Sequence, residues 1–294
     1  MRTIRIKFID FWPSFKADNN YFYHLLSMRY NIVLSDDPEF VICSVFGKDF
    51  HNYGCTRILY SGENTRPNFQ HYDYNFSFDH LEDPRHYRFP LYGLYLGMNP
   101  EKLIKHSIDA NLILNSKTKF CNFIYSNPKA NRRIEFFHKL SKYKQVDSGG
   151  KVLNNIGQFV DDKLEFISNY KFTIAFENSS YPGYTTEKIQ EPMLADSLPI
   201  YWGNPLVHLD FNPGSFINCH DFPDDEAVIE QVIRLDQDDE LYRQYLNEPC
   251  YHQNEVNGYI KPENVLQQFE RIFEAPPPSA LTQWRRTAKR FLRW

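Results

Sequence analysis

The sequence contains no long hydrophobic run, although 42% of its 294 residues are hydrophobic. No stretch approaches the ~20 consecutive apolar residues that a membrane-spanning helix requires. The amino-terminal stretch MRTIRIKFIDFWPSF interrupts its apolar residues with charges, so it also lacks the continuous apolar centre of a secretory signal peptide. Both absences predict a protein on the cytoplasmic side that is either soluble or peripheral to a membrane.

Cysteines are few, and they follow no pattern. None of the five belongs to a C-x-x-C pair, and an odd number leaves one outside any disulfide scheme: Cys43, Cys55, Cys121, Cys219 and Cys250. No His and Cys residues have the spacing of a zinc site either. A reducing compartment therefore suits the chain better than secretion. The scattered cysteines also argue against a fold that is cross-linked by disulfides.

The chain as a whole has no surplus of positive charge. Its formal net charge of −4 argues against a nucleic-acid-binding protein, which would carry a basic surface. Basic residues are instead concentrated in the tail, residues 276–294, where the stretch ALTQWRRTAKRFLRW contains no acid. Apolar residues recur in that stretch at helical spacing: Leu281, Trp284, Ala288 and Leu292, with Phe291 and Trp294 nearby.

This tail is predicted to form a basic amphipathic helix that contacts an anionic membrane surface. The expected location is therefore cytoplasmic and peripheral, on the inner face of the membrane. The alternative is a helix that docks on the protein's own acidic body.

Aromatic residues are abundant, at 17% of the sequence. The ordinary interpretation is a densely packed core, because Phe and Tyr bury large apolar areas. The alternative is that some rings form walls that stack on sugars or bases. The charged fraction of 24% is typical of a globular protein.

Short β-rich apolar runs alternate with helix-like segments through most of the chain, which predicts βαβ units and largely parallel sheets. The predicted strands lie within residues 4–11, 39–47, 57–64, 72–80, 119–127, 171–178, 198–203 and 215–222. The predicted helices lie within residues 130–143, 162–170, 185–197, 224–235 and 238–248. Residues 98–118 are interpreted as a connection, and residues 146–152 as a turn. In such sheets ligands bind at the carboxyl ends of the strands.

One segment contains more charged and polar side chains than a turn requires. It is FENSSYPGYTTEKIQEPMLADSLPIYWGNP (176–205). Glu177 and Asn178 come where a strand ends, and a helix is predicted to begin near Thr185 or Thr186. The free N–H groups at that helix start would seat a phosphate, and Lys188 would add a full positive charge. Glu187 can accept hydrogen bonds from sugar hydroxyls. The alternative is that the Thr-Thr-Glu-Lys sequence merely caps the helix.

Three short motifs resemble, in their order and spacing, the signature of the alpha-1,3-fucosyltransferases, the family 10 glycosyltransferases. These motifs are FENS, Gly-Tyr-x-Thr-Glu-Lys and PIYWGNP. Further blocks resemble that family in the same order: residues 60–69, 78–92, 120–128 and 211–222. Together they cover roughly residues 57–225. The chain therefore resembles a bacterial-type member of this family.

The resemblance implies a GT-B fold, with two Rossmann-like domains facing a central cleft. We place the acceptor-binding domain at residues 1–115 and the donor-binding domain at residues 116–275, before the tail. GDP-fucose is the implied donor, and the implied reaction is an inverting transfer with 1,3 or 1,4 linkage. The acceptor would be N-acetylglucosamine or glucose in an N-acetyllactosamine-type, Lewis-antigen glycan, as an oligosaccharide or a glycolipid. No cofactor is expected to be required, with Mn²⁺ or Mg²⁺ at most stimulatory.

The resemblance also assigns site residues. Glu63 matches the carboxylate proposed as the catalytic base. The matching donor contacts are Arg133, Asn178, Tyr184, Glu187 and Lys188. Arg132 is the alternative to Arg133 if the alignment shifts by one residue.

Two other functions use the same residues differently. A glycoside hydrolase could employ Glu63, Glu177 and Glu187 as paired carboxylates, and a non-catalytic glycan-binding module could use the aromatic residues alone. A metal site at Asp236-Gln237-Asp238 is not favoured, because this stretch is interpreted as a polar link between two helices.

Overall fold

The computed structural model describes residues 1–291, with side chains through Arg286, and divides into two compact units. The first unit comprises Met1–Pro100 and the chain from Gly258 onward, and the second comprises Glu101–Asn257. These boundaries differ from the predicted 1–115 and 116–275. Residues 101–115 join the second unit because a helix there packs against residues 239–247. Residues 258–275 return to the first unit as a helix of its core.

Within the described residues, the first unit contains a six-stranded sheet in which every pairing is parallel. Its strands are β1 (Thr3–Ile9), β2 (Asn31–Leu34), β3 (Phe40–Cys43), β4 (Thr56–Tyr60), β5 (Tyr74–Ser77) and β6 (His86–Arg88), in the order β2-β1-β3-β4-β5-β6. Helix α1 (Tyr21–Ser27) follows β1, and helix α2 (Leu91–Leu96) follows β6. Strands β3 and β4 are buried at every position, as expected for parallel strands covered on both faces.

The second unit contains a five-stranded parallel sheet in the order β11-β10-β9-β7-β8. Its strands are β7 (Lys119–Phe123), β8 (Val146–Ser148), β9 (Tyr170–Phe176), β10 (Leu198–Trp202) and β11 (Ile217–Asn218). Its helices are α3 (Ala110–Ser116), α4 (Asn131–Leu140), α5 (Lys163–Ser168), α6 (Glu187–Leu194), α7 (Asp225–Gln237) and α8 (Asp239–Asn247). Phenylalanines from the central strands and α4 fill the core: Phe123, Phe136, Phe137, Phe172 and Phe176.

The chain then returns to the first unit through helix α9 (Pro262–Glu274). Phe269 stacks on Phe76 at 4.8 Å between ring centroids, and Phe273 lies 4.5 Å from Phe40. Because these rings are buried against the sheet, α9 belongs to the hydrophobic core of the first unit. Short 3₁₀ helices occupy Asp49–Asn52, Pro100–Leu103, Val207–Leu209, Pro213–Ser215, Cys219–Asp221, His252–Asn254 and Gly258–Ile260.

Helix α10 (Ala280–Phe291) forms the predicted tail helix, and its described part docks on the first unit. The Arg286 guanidinium donates to both carboxylate oxygens of Asp73, at 2.9 and 2.7 Å, and to the Cys55 carbonyl at 3.2 Å. Leu281 and Trp284 remain 56% and 66% exposed. Of the predicted apolar face, Ala288, Phe291, Leu292 and Trp294 lie outside the described side chains. In residues 1–291, no helix is both long and apolar enough to cross a bilayer.

The predicted parallel α/β architecture is confirmed, and each predicted strand and helix overlaps an observed one. The sequence pattern did not predict strands β2 and β6 or helices α1, α2 and α9. Two further segments were assigned to another kind of structure. Residues 98–118, expected to be a connection, contain α3, which is capped by the Asp109 side chain. The expected turn at residues 146–152 begins as strand β8, because Val146 is buried in the sheet and pairs with Cys121.

The Gly149-Gly150 pair after β8 is required by close packing. A Cβ atom at Gly150 would lie 2.3 Å from the carbonyl oxygen of Tyr125 and 2.4 Å from its nitrogen. Tyr125 cannot easily move, because its hydroxyl donates to the Ile174 carbonyl at 2.8 Å. Gly150 therefore lets two loops at the carboxyl edge of the sheet meet.

We expect Gly150→Ala to lower the free energy of unfolding by about 1–3 kcal/mol, since the added methyl overpacks a backbone contact. Denaturant unfolding followed by circular dichroism measures the change. Gly258→Ala is the matched control, because the nearest atom to its Cβ would be 3.6 Å away; it is expected to change stability by only about 0.5 kcal/mol. Equal stability of both variants would contradict the packing account.

Candidate functional site

The second unit has a cavity of about 180 Å³ at the carboxyl ends of β7 and β9. Polar and charged side chains from the loops, α4, α5 and α6 converge on it: Asn122, Arg133, Lys163, Asn178, Glu187, Lys188 and Glu191. The apolar part of the cavity wall is formed by Tyr125, Ile167, Ile174 and Pro192. A concave site with a few converging charges at this edge of a parallel sheet is where ligands bind in such folds.

Glu177, directly after β9, fixes the start of α6. Its carboxylate is 1% exposed and accepts from the Thr186 N–H at 2.8 Å and from the Thr186 hydroxyl at 2.7 Å. Burial raises the pKa of Glu177, and the positive charge of Lys188, 3.4 Å away, partly offsets this effect. The buried carboxylate therefore acts as a structural anchor that fixes where the helix begins.

The PIYWGNP sequence holds the same loop from the other side. A Cβ atom at Gly203 would lie 2.3 Å from Cγ of Glu177, so only glycine leaves room for the anchor. The Asn204 side chain accepts from the Gly183 N–H at 2.6 Å and donates to the Thr185 hydroxyl at 2.9 Å. The two distant motifs thus form one buried hydrogen-bonded network around the start of α6.

Lys188 lies between two carboxylates at the beginning of α6. Its ammonium group is 3.4 Å from Glu177 and 3.1 Å from Glu187. Burial opposes the charge on Lys188, but these two carboxylates outweigh burial and raise its pKa above the ordinary range. For Glu187, Lys188 and Lys163 outweigh burial and lower the pKa. Glu187 and Lys188 are therefore both charged at neutral pH, and the positive charge of the lysine is already largely compensated.

Arg133, in the first turn of α4, is the less compensated cation of the cavity. Its side chain is 1% exposed, stacks over the Tyr125 ring at 4.0 Å and donates to the Asn178 side-chain oxygen at 2.6 Å. Its Nε has no hydrogen-bond partner, and no carboxylate among residues 1–291 pairs with it. A buried cation with an unused donor suits an anionic ligand.

The neighbouring Arg132, the alternative in the sequence, faces elsewhere. It forms an ion pair with Asp225 at 2.5 Å and lies over the rings of Phe176 and Trp202. It is not among the residues that line the cavity. The structure therefore brings Arg133 together with Lys188 and leaves Arg132 in a structural contact.

Tyr184 is placed differently from the other residues that the resemblance assigned to the donor. It is 3% exposed and does not line the cavity, although Asn178 and Glu187 do. Its backbone carbonyl lies 3.4 Å from the Tyr201 hydroxyl. The Tyr184 phenol is one of the groups that raise the pKa of Lys188, so the side chain lies near the donor candidates without lining the cavity.

Lys163 and Glu191 also line the cavity, and sequence reasoning missed both. They form an ion pair between α5 and α6. Burial raises the pKa of Glu191, and Lys163 partly offsets that rise. The i, i+4 spacing of Glu187 and Glu191 placed both carboxylates on one helix face and was a usable signal, whereas the approach of Lys163 depends on the tertiary fold.

Glu63 lies in the first unit, on the loop after β4. It is exposed and borders a second cavity of about 560 Å³. The Ser61 hydroxyl donates to the Glu63 carbonyl at 3.0 Å and so shapes the loop. Within the described part of the chain, no backbone N–H donates to the Glu63 carboxylate, so the side chain does not cap the strand end.

The Asp236-Gln237-Asp238 stretch makes structural contacts. Asp236 lies 3.3 Å from the Lys144 ammonium and 3.4 Å from that of Lys171, and Asp238 caps α8 by accepting from the Leu241 N–H. Among residues 1–291, no group of three or more His, Cys, Asp or Glu side chains is arranged to hold a metal ion.

Comparison with solved structures defines the class of fold. The chain is similar to a crystal structure of an alpha1,3-fucosyltransferase, with a TM-score of 0.83 and 30% identity over 93% of this chain and 91% of that one. It is also similar to an alpha1,3-fucosyltransferase structure with GDP-fucose, with a TM-score of 0.78 and 29% identity over 94% and 92% of the two chains. The two Rossmann-like units are therefore those of a GT-B glycosyltransferase fold.

Family models identify the particular family. Residues 6–95 match the alpha-(1,3)-fucosyltransferase FucT N-terminal domain, and residues 114–258 match the glycosyltransferase family 10 (fucosyltransferase) C-terminal model. The alpha-(1,3)-fucosyltransferase FucT of Helicobacter pylori is 35% identical over an alignment of 298 positions, gaps included, which covers 87% of this chain. The chain belongs to glycosyltransferase family 10. It spans 62% of the length of that relative.

Proposed function

We propose that this protein is a GDP-fucose-dependent alpha-1,3-fucosyltransferase. The observation that carries the proposal is the buried Arg133, which has an unused donor and shares its cavity with Lys188 and the start of α6. This arrangement suits a nucleoside diphosphate, because the two cations and the positive end of the α6 helix dipole favour phosphate oxygens. Family membership and the relative's structure with GDP-fucose support fucose as the transferred sugar.

The proposed chemistry is an inverting transfer. Glu63 removes the proton of the acceptor hydroxyl as that oxygen attacks the anomeric carbon of fucose. The bond to the diphosphate breaks at the same carbon, and Arg133 and Lys188 stabilise the negative charge that develops on the leaving GDP. Glu187 accepts hydrogen bonds from fucose or ribose hydroxyls. No metal is required in this proposal, and Mn²⁺ or Mg²⁺ would at most stimulate turnover.

The proposed acceptor is N-acetylglucosamine or glucose in an N-acetyllactosamine-type glycan, with 1,3 or 1,4 linkage. A glycoside hydrolase is less well supported, because Glu177, one of its candidate carboxylates, is buried and bonded to Thr186. A glycan-binding module would have no use for Arg133 and Lys188.

The direct test is incubation of the protein with GDP-fucose and N-acetyllactosamine-type acceptors, followed by mapping of the product linkage. Fucose on the 3-position of N-acetylglucosamine or glucose is the expected product. Sugar release from a glycan without nucleotide would instead indicate a hydrolase, and glycan binding without GDP affinity would indicate a binding module.

Arg133→Ala is expected to weaken GDP binding by about 1.5–3 kcal/mol, the worth of a hydrogen bond to a charged group. Isothermal calorimetry with GDP measures the change. Arg132→Ala is the matched control, because it removes the same charge one residue away outside the cavity, and GDP affinity should stay at the wild-type value. Lys188→Ala should also weaken GDP binding, and it should lower stability because Glu177 loses its cation. Wild-type GDP affinity in Arg133→Ala would refute the phosphate assignment.

Glu63→Gln is expected to lower the transfer rate by about 100- to 10,000-fold, because the amide keeps the shape of the side chain but cannot accept the proton. GDP-fucose affinity should be unchanged, since the proposed donor residues lie in the other unit. Initial-rate kinetics and calorimetry give the two values. Glu82→Gln, an exposed acid of the first unit that does not line the cavity, serves as the control. Near-normal turnover of Glu63→Gln would rule Glu63 out as the base.

We also propose that the tail makes peripheral contact with the inner face of the membrane and brings the enzyme to glycolipid acceptors. The exposed Leu281 and Trp284 side chains and the surrounding arginines support this contact. The Arg286–Asp73 ion pair is compatible with it, because docking leaves those two apolar side chains exposed.

Replacing both Leu281 and Trp284 by Glu is expected to reduce binding to phosphatidylserine-containing vesicles at least about tenfold, because it removes apolar contact and adds negative charge. Vesicle cosedimentation measures the binding, and activity on soluble acceptors should be retained. Leu112→Glu changes an equally exposed leucine of the second unit and serves as the control. Vesicle binding that is the same in all three proteins would argue against a membrane contact through the tail.

A further inference from the structure

The Glu63 carboxylate depends on its own backbone for its position. Within the described part of the chain, no hydrogen bond or ion pair holds this exposed carboxylate. The backbone, by contrast, is tightly turned, because the Glu63 carbonyl accepts from the Ser61 hydroxyl at 3.0 Å and from the Thr65 N–H at 2.6 Å. The loop of residues 61–66 therefore determines where the carboxylate can reach.

Arg66 links the end of this loop to the neighbouring strand. Its guanidinium donates through Nη1 to the Asp79 carboxylate at 2.6 Å and through Nη2 to the side-chain oxygen of Asn64. The same group lies over the Phe78 ring, 4.3 Å from the ring centroid. Phe78 and Asp79 directly follow β5, so Arg66 ties the residue next to Glu63 to the sheet. A planar guanidinium can make both hydrogen bonds and the ring contact at once, which a lysine ammonium cannot.

Asp79 is itself held in place. Its carboxylate is buried and accepts from the Ser77 hydroxyl at 2.9 Å, and its N–H donates to the same hydroxyl oxygen at 3.2 Å. The Ser77 hydroxyl also lies 2.9 Å from Nε2 of His86, in β6. Burial lowers the pKa of His86, and the charge of Asp79 only partly offsets this effect, so the imidazole is neutral at neutral pH. The positive charge that compensates Asp79 is therefore that of Arg66.

These contacts form one path from the sheet to the loop. The path starts at His86 and ends at Asn64, next to Glu63. It joins residues 60–69 to residues 78–92, two sequence blocks that are separate in the chain. Because its members in the sheet are buried, the path gives the exposed loop a fixed support.

We propose that Arg66 is a positioning residue for the transfer. Held by Asp79 and Phe78, it fixes the loop that carries Glu63 and so sets how the carboxylate meets the acceptor hydroxyl. Arg66 acts through Glu63 and takes no proton itself. This inference rests on the proposed function, in which Glu63 is the base.

Arg66→Ala is expected to lower kcat about 100-fold, because a misplacement of about 1 Å at a reacting group can cost that much. KM for N-acetyllactosamine should change little, since the lost interaction acts in the transition state. GDP affinity should be unchanged, because the proposed donor residues lie in the other unit. Initial-rate kinetics and calorimetry give these values, and wild-type kcat in Arg66→Ala would overturn the inference.

Arg85→Ala is the matched control. Arg85 also forms an ion pair, with Asp83 at 2.8 Å, and also lies 4.3 Å from a ring centroid, that of Phe69. Its side chain makes these contacts rather than the hydrogen bond to Asn64. The control therefore removes a similar arginine of the same unit, and its kcat should stay at the wild-type value.

Combination with Glu63→Gln distinguishes positioning from a merely structural role. In the Glu63→Gln background, Arg66→Ala should lower the transfer rate by less than about twofold more, because no base is left to position. The same fold-loss in both backgrounds would indicate a structural role and overturn the inference. If Arg66→Ala fails to fold because Asp79 loses its cation, Arg66→Ala with Asp79→Asn removes both charges and should show the same loss of kcat.

Hydrogen exchange of the loop separates this inference from the proposed function, because it requires no transfer. Mass spectrometry should show faster amide exchange over residues 61–69 in Arg66→Ala than in the wild type or Arg85→Ala, since the loop has lost its support. Unchanged exchange there would overturn the inference even if the wild type transfers fucose. Faster exchange in Arg66→Ala, together with a wild type that transfers no fucose, would refute the proposed function and still support the hold of Arg66 on the loop.

Discussion

The buried carboxylate of Glu177 is the contact on which the candidate donor site depends. A carboxylate that is 1% exposed must be fully hydrogen-bonded or paired, and Thr186 and Lys188 meet that need. Satisfying Glu177 therefore fixes both where α6 begins and where the lysine lies. The glycine of PIYWGNP is a consequence, since any side chain at Gly203 would collide with the anchor.

The two units distribute charge and apolar surface differently. The cavity of the second unit combines Arg133, Lys188 and Lys163 with Glu187 and Glu191. Its two lysines are ordered by ion pairs that an anionic ligand would have to share, whereas Arg133 is held by Asn178 and Tyr125. The cavity of the first unit has one carboxylate and an aromatic wall. These two environments suit the charged donor and the neutral acceptor of the proposed transfer.

Much of the architecture follows from local pattern. Short runs rich in apolar residues, such as Phe40–Cys43 and Tyr170–Phe176, predict buried parallel strands, because both faces of such strands are covered. Helix α3 was missed because its sequence, ANLILNS, is short and only its first residue is buried. The return of α9 to the first unit was missed for a different reason: its partner rings, on Phe40 and Phe76, are far away in the sequence.

The sequence by itself determined the βαβ alternation, the family and the residue types that the site uses, because these depend on spacing along the chain. It placed Arg133, Asn178, Glu187 and Lys188 among the candidates, and these four line one cavity. Only the tertiary structure distinguished Arg133 from Arg132, showed that Tyr184 is buried, and brought Lys163 to the cavity. Each of those outcomes depends on which side chains from distant elements compete for the same space, and that competition exists only once the sheets have formed.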